Sequence, residues 1–131
     1  MLQASQSPAH STLPTAKLYQ RLNTTETAVS EFCERWQVIE LSVFGSALRN
    51  DFRVEGADPS DVDFLYVSAP DARYGFQFFD MRAELVQLLG RKVDLVSKRG
   101  IERSRNFLRR EAILESAQVI HAKRSADDYS D

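Results

Sequence analysis

The chain has 131 residues, of which 43% are hydrophobic, and its formal net charge is -2. This size predicts one domain with a modest core, and the charge excludes a protein that binds polyanions over its whole surface. No apolar run is long enough to cross a membrane, and the N-terminal residues lack the apolar segment of a signal peptide. The chain has a single cysteine, Cys33, so it forms no intrachain disulfide. We therefore expect a cytoplasmic domain.

The N-terminal part of the chain predicts a tail followed by two helices. Residues 1–14 are rich in Ser, Ala, Gln, Pro and Thr without periodicity, which is typical of a flexible tail. Residues 15–22 have the spacing of a short helix. The sequence NTTE at residues 23–26 has the form of a helix N-cap that begins at Asn23, and apolar residues follow at helical spacing as far as Trp36. We expect Cys33, on that stripe, to be a buried structural thiol.

A strand is predicted over residues 37–44, and it ends at Gly45 and Ser46. A short helical pattern follows over residues 47–50. Glycine allows a ligand to approach the backbone closely, and the N–H groups of the turn together with the Ser46 hydroxyl favour an anion at the helix start. Arg49 lies about one turn into that helix and is a second candidate for phosphate contact. A Gly-Ser pair alone is an ordinary turn in most proteins.

Two carboxylates follow a polar loop. Residues 62–68 are predicted to form the second strand, and side chains alternate between the faces of a strand, so Asp61 and Asp63 share one face with Cα atoms about 6.5–7 Å apart. Like charges at this spacing repel, and a shared divalent cation relieves the repulsion, for which Mg²⁺ suits oxygen ligands best. A phosphate cradle opposite two such acids is the minimum equipment for nucleotidyl transfer.

A further helix and strand come next. The helix is predicted over residues 76–89 and ends at Gly90. Its predicted core positions are Phe79, Ala83, Val86 and Leu89. In the third strand, over residues 92–97, Asp94 faces away from Val93 and Leu95. An acid in such a strand requires a cation or water.

The C-terminal part begins with a basic segment. Residues 98–110 hold six cationic side chains and one Glu, which indicates either a solvated face or contact with a triphosphate or a partner. A helix is predicted over residues 109–117, with a short apolar end at Val119 and Ile120. Residues 123–131 are polar and acidic, and we expect them to fray. The predicted domain thus covers residues 15–122.

The order of these features resembles a known signature. Gly45-Ser46, a spacer, Asp61-Val62-Asp63 and a later Asp94 resemble the DNA polymerase beta-like nucleotidyltransferase superfamily, and the small size resembles its minimal nucleotidyltransferase (MNT) branch. The resemblance implies an α+β nucleotidyltransferase fold, a single domain with a short mixed β-sheet flanked by helices. It implies that Asp61, Asp63 and Asp94 are the catalytic and metal-binding residues, and that Gly45, Ser46 and Arg49 bind the nucleotide.

The chain departs from the family pattern in two places. Fourteen residues separate Ser46 from Asp61, more than is usual, so the loop at residues 53–60 is predicted to be enlarged, which flexible loops tolerate. Asn50 stands where the family usually has glycine.

The resemblance also implies a partner. Within the MNT family, the best fit is the antitoxin of a HEPN/MNT toxin-antitoxin pair, which transfers AMP from ATP, with Mg²⁺, to a tyrosine of a HEPN ribonuclease toxin. Two alternatives remain open: an antitoxin that acts by docking alone, and a nucleotidyltransferase that acts on RNA or a small hydroxylated molecule. The acidic net charge and the scarcity of aromatic residues in the basic segment make nucleic acid a poor candidate for the acceptor.

Overall fold

The computed structural model describes residues 13–49, 52 and 61–123. The elements in chain order are α1 (Thr15–Leu22), α2 (Glu26–Trp36), β1 (Val38–Phe44), a 3₁₀ helix (Gly45–Leu48), β2 (Val62–Ser68), α3 (Gln77–Leu89), β3 (Val93–Ser97), α4 (Lys98–Glu102), α5 (Phe107–Ser116) and β4 (Gln118–Ala122). Most of the two predicted tails, Asn50 and the predicted enlarged loop at residues 53–60 lie outside the described residues.

The four strands form one mixed sheet in the order β3-β2-β1-β4. β1 pairs antiparallel with both β2 and β4, and β2 pairs parallel with β3. The predicted α+β architecture with a mixed sheet is therefore confirmed. The sequence pattern missed β4 as a strand: the predicted short apolar end at Val119 and Ile120 belongs to a five-residue edge strand.

The loop between α1 and α2 places the helix cap two residues later than predicted. Thr25 is the N-cap of α2, and its hydroxyl accepts a hydrogen bond from the backbone N–H of Ala28 at 3.1 Å. Asn23 instead ends α1 in the left-handed conformation, at φ 61°. Asn is suited to both roles, since its short polar side chain also tolerates the left-handed region.

The sheet buries its two faces unequally. One face packs against α1, α2 and α3 in the main core, which includes Leu18, Phe32, Leu41, Phe64 and Leu85. Cys33 is buried in this core, as predicted. The other face carries a smaller cluster, formed by Phe44, Leu65, Ile101 and Ile113, where α4 and α5 cover part of the sheet.

The predicted core face of α3 was partly wrong. Leu89 is buried and Val86 is half-buried, but Phe79 is 63% exposed and Ala83 is exposed. The buried positions of α3 are Met81, Leu85 and Leu89. The predicted set and the buried set both have helical spacing, so spacing alone does not distinguish them. The packing of α3 against the sheet selects the set with Met81 and Leu85.

Two other helix boundaries also differ from the sequence prediction. The segment after β1 is a 3₁₀ helix at Gly45–Leu48, where a helix over residues 47–50 was predicted. α5 begins at Phe107, two residues earlier than predicted, because the Asn106 side chain caps it by accepting from the backbone N–H of Arg109 at 3.2 Å. Among the described residues, no helix is long and apolar enough to cross a membrane.

Candidate active site

The candidate site is built around the contact between Gly45 and Asp63. Phe44, the last residue of β1, pairs with Asp63 on β2, so the chain turns away from the sheet directly beside the Asp63 side chain. Gly45 has a φ of 78°. A Cβ atom at this position would overlap Asp63 Oδ2 and lie 3.4 Å from Asp63 Cγ. Glycine is required here both for the backbone conformation and for the close approach of the carboxylate.

Asp63 and Asp94 are direct neighbours across the parallel strand pair. β2 and β3 pair with Asp63 opposite Asp94, and neighbouring strands lie about 4.8 Å apart. The adjacent residues Val62 and Phe64 point into the main core, so the two acids share the opposite face of the sheet. Asp61 lies one residue before β2 and is exposed.

The environment of Asp63 disfavours its ionised form. Asp63 is half-buried, and burial is the main reason that its pKa is raised above the ordinary value. The charges of Asp94 and then Asp61 raise this pKa further, whereas the positive charge of Arg49 lowers it. The four side chains therefore interact electrostatically at one end of the sheet. Asp63 is the most protected of the three acids, because Asp61 and Asp94 are exposed.

The other two predicted nucleotide-binding residues flank this pair. The Ser46 hydroxyl donates a hydrogen bond to the backbone carbonyl of Asp61 at 3.0 Å, which ties the 3₁₀ turn to the start of β2. Arg49 is the residue that ends the 3₁₀ helix, and its side chain is exposed. The turn thus holds one hydroxyl and one cationic side chain next to the acids.

Sequence reasoning missed Arg21, which supports the turn from α1. Arg21 Nη1 donates hydrogen bonds to the backbone carbonyls of Ala47 at 2.8 Å and Arg49 at 2.6 Å. Carbonyls at the end of a short helix lack intrahelical partners, and the guanidinium supplies donors for them. No local pattern marks this role, because 26 and 28 residues separate Arg21 from the two carbonyls.

The chemistry of these side chains fits a divalent cation. Within residues 13–49, 52 and 61–123, no three acidic, His or Cys side chains stand close enough together to ligate one ion. The paired registers of Asp63 and Asp94 nevertheless place two carboxylates side by side, and their repulsion contributes to the raised pKa of Asp63. A cation at oxygen ligands relieves this repulsion, so the donor set suits Mg²⁺.

A cleft in another part of the described structure contains none of the predicted site residues. It measures about 560 Å³ and is lined in part by Cys33, Val38 and His121. Val38 begins β1 and Phe44 ends it, so the cleft and the acids are roughly 20 Å apart along the strand. Burial raises the pKa of Cys33 to about 12, which makes the thiol unreactive, and burial lowers the pKa of His121.

Comparison with known proteins decides the family. The sequence model of the nucleotidyltransferase domain matches residues 26–120, which contain Gly45, Ser46 and all three acids. The chain belongs to the nucleotidyltransferase domain family. The predicted resemblance to nucleotidyltransferases is thereby confirmed.

Two proteins similar to this nucleotidyltransferase have more specific names than the family. It is 38% identical over 71 residues to the "Putative protein adenylyltransferase MJ0128" of Methanocaldococcus jannaschii, and the match covers 53% of this chain and 65% of that protein. A solved "putative minimal nucleotidyltransferase" is 29% identical, covers 83% of this chain and 98% of its own, and superposes with a TM-score of 0.53.

A third match has the same fold at lower identity. It is a chain of the solved complex between the tri-AMPylated HEPN toxin of Shewanella oneidensis and an MNT antitoxin. That chain is 18% identical to this nucleotidyltransferase and superposes with a TM-score of 0.52. The match covers 84% of this nucleotidyltransferase and 78% of the solved chain. The predicted MNT branch agrees with the solved minimal nucleotidyltransferase, and the complex adds only the shared fold.

Proposed function

We propose that this nucleotidyltransferase is an antitoxin that transfers AMP from ATP to a tyrosine of a partner HEPN ribonuclease toxin and thereby neutralises it. The observation that carries the proposal is the contact of Gly45 with Asp63, beside Asp94 in the neighbouring strand. This arrangement places an approachable backbone turn directly against two carboxylates. Nucleotidyl transfer requires that combination, because a triphosphate and the groups that neutralise its charge must meet at one point.

Each predicted site residue has a role in this reaction. The turn at Gly45 and Ser46 holds the triphosphate, and Arg49 contacts its phosphate oxygens. The acceptor hydroxyl oxygen attacks the α-phosphorus of ATP, the bond from that phosphorus to the bridging oxygen breaks, and pyrophosphate leaves. The proton of the hydroxyl passes to the Asp94 carboxylate and then to solvent. Asp94 is exposed, so an incoming hydroxyl can reach it.

Asp63 and Asp94, side by side, and Asp61 at the start of β2 would hold Mg²⁺ ions between them rather than all three one ion, and these ions would neutralise the charge that develops on the phosphate oxygens. Without a cation, the same three carboxylates would repel the triphosphate. The cationic side chain of Arg49 opposes this repulsion only in part, because it is a single charge against three.

The acceptor is assigned from the relatives. The M. jannaschii relative is named as a protein adenylyltransferase, and the S. oneidensis complex contains an AMPylated HEPN toxin. The domain described here has one sheet with its helices, and a protein acceptor can present its own hydroxyl to the exposed acids. These observations support a protein as the acceptor.

A labelling experiment tests the proposal. The chain is incubated with Mg²⁺, α-labelled ATP and the HEPN protein encoded beside its gene, and the label is located by mass spectrometry. We expect AMP on a tyrosine of the HEPN protein and loss of its ribonuclease activity. Asp61→Asn, Asp63→Asn and Asp94→Asn should each bind the HEPN protein but leave it unlabelled.

Three other outcomes would contradict the proposal in different ways. Equal silencing of the toxin by the wild type and by Asp94→Asn, without an adduct, would show that docking alone neutralises the toxin. Label on RNA would replace the protein acceptor with nucleic acid. The absence of any HEPN gene beside this one would remove the partner.

A further inference from the structure

The corner formed by α4 and the start of α5 combines exposed apolar and cationic side chains. We define this basic corner as the half-buried Arg99 together with the exposed residues Arg103, Arg105, Phe107, Leu108 and Arg109. Leu108 is 77% exposed and Phe107 is 56% exposed. Large exposed apolar side chains next to charged side chains are typical of surfaces that bind other proteins.

Of the six cations in residues 98–110, two have internal partners among the described residues, and both of these lie outside the basic corner. Within the described part of the chain, Lys98 forms an ion pair with Glu40 at 3.0 Å, and Arg110 donates to the Ser104 carbonyl at 3.1 Å. The side chains of the four arginines in the basic corner form no hydrogen bond or ion pair with any residue that the structure describes. Their charge is therefore available to a partner.

The charge at the start of α5 also opposes the stability of its own helix. The first turn of α5 has no acidic residue and contains Arg109. A cation at this position is unfavourable, because the N-terminus of a helix carries partial positive charge. A carboxylate from a partner would be favoured by both the helix end and the arginines.

The basic corner stands over the same sheet face as the acids. Ile101 of α4 and Ile113 of α5 pack against Phe44 and Leu65. Leu65 and Asp63 share one face of β2, because they are two residues apart on the strand. A protein that docks on α4 and α5 therefore stands on the sheet face that carries Asp63 and Asp94.

We infer that the basic corner is the docking surface for the protein acceptor, and that it binds an apolar spot ringed by carboxylates on that protein. The inference rests on the proposed function for the identity of the acceptor. Charge complementarity selects an acidic surface, and the aliphatic Leu108 selects protein over RNA, because Leu cannot stack on bases. The single aromatic side chain, Phe107, already has the Arg110 guanidinium 5.8 Å from its ring centre.

Two pairs of variants test the inference. Arg105→Glu reverses a charge of the corner, and Lys17→Glu is its matched control on the exposed side of α1. Leu108→Ser removes the apolar contact, and Phe76→Ser is its control, since Phe76 is also highly exposed but lies at the start of α3. Binding to the HEPN protein is measured by calorimetry without ATP, and ATP-analogue binding is measured separately.

We expect Arg105→Glu and Leu108→Ser each to weaken binding of the HEPN protein by about tenfold or more, as central interface residues do. The KM for the HEPN protein should rise with little change in kcat, and affinity for the ATP analogue should stay unchanged. Thermal stability should not fall, because Arg105→Glu replaces a cation by an anion beside the start of α5. Both control variants should behave like the wild type. Raising the salt concentration should slow association of the wild type more than of Arg105→Glu.

The outcomes separate this inference from the proposed function. Wild-type binding of the HEPN protein by all corner variants would overturn the docking surface, whether or not AMP is transferred. Absence of labelled tyrosine in the wild type, with binding still lost in both corner variants, would overturn the adenylyl transfer and support the surface. Binding of a 20-nucleotide single-stranded RNA that Arg105→Glu abolishes and Leu108→Ser does not would reassign the corner to nucleic acid.

Discussion

Replacement of Gly45 by Ala separates two effects that the structure places at one residue. Gly45 has a φ of 78°, and an L-residue in the left-handed region costs roughly 1–2 kcal/mol. The new Cβ would also overlap Asp63 Oδ2, and overpacking of this kind costs typically about 1–3 kcal/mol. We therefore expect Gly45→Ala to lower the free energy of unfolding by about 2–5 kcal/mol.

Gly90 supplies the matched control. It has a φ of 72°, and a Cβ added there would meet nothing within 4 Å. Gly90→Ala should therefore show the left-handed effect alone, about 1–2 kcal/mol. For a domain of this size, each kcal/mol changes the Tm by roughly 4 °C, so Gly45→Ala should melt about 4–12 °C below Gly90→Ala.

A double-mutant cycle assigns the difference to Asp63. The Asp63 Cβ would lie 3.7 Å from the new methyl group, which is ordinary contact, so Asp63→Ala removes the overlap. In that background, Gly45→Ala should cost no more than Gly90→Ala does in the wild type. Denaturant unfolding of the four proteins gives the coupling energy. Equal losses for Gly45→Ala and Gly90→Ala, with no coupling to Asp63, would refute the close approach of the carboxylate to the turn.

Three further predictions concern the same site. Asp63→Asn should raise the Tm of the metal-free protein at neutral pH. Burial and the charge of Asp94 raise the pKa of Asp63, so ionisation of Asp63 opposes folding. The difference in Tm between the variant and the wild type should fade as the pH falls to the ordinary pKa of Asp. Arg21→Met should lower the free energy of unfolding by about 1–3 kcal/mol and weaken ATP-analogue binding several-fold in calorimetry, because two carbonyls of the turn lose their donor. Gly45→Val should weaken binding of that analogue by well over about tenfold, and Ser46→Ala by less, since the valine would displace the Asp63 carboxylate from beside the turn whereas the alanine only removes one hydroxyl.

Each of these predictions has an outcome that contradicts it. A Tm difference between Asp63→Asn and the wild type that is the same at pH 3 and pH 7 would dissociate the effect from ionisation. For Arg21, the control is Arg21→Lys, which keeps a donor and should restore part of the binding; no difference between the two variants would show that the hydrogen bonds do not position the turn. Unchanged analogue affinity in Gly45→Val would move the phosphate site elsewhere.

Local sequence patterns are sufficient to predict the order of the functional elements. β1, the turn at Gly45, β2 and the acid on β3 are all readable from local patterns, because strands alternate faces and a glycine breaks the apolar run of a strand. The stretches of β2 and α1 agree with their predicted bounds. The same patterns indicated that Asp63 and Asp94 face away from the core, since each of the two has apolar neighbours on both sides.

The contacts between these elements depend on the packing of the whole domain. The pairing of Asp63 with Asp94 depends on strand register, and the support of the turn by Arg21 depends on where α1 packs; neither is encoded within a local window. The exposure of Phe79 has the same origin, because two stripes of α3 satisfy helical spacing and packing against the sheet selects one. Local sequence sets the conformation of each segment, whereas burial of the shared core sets which segments are neighbours.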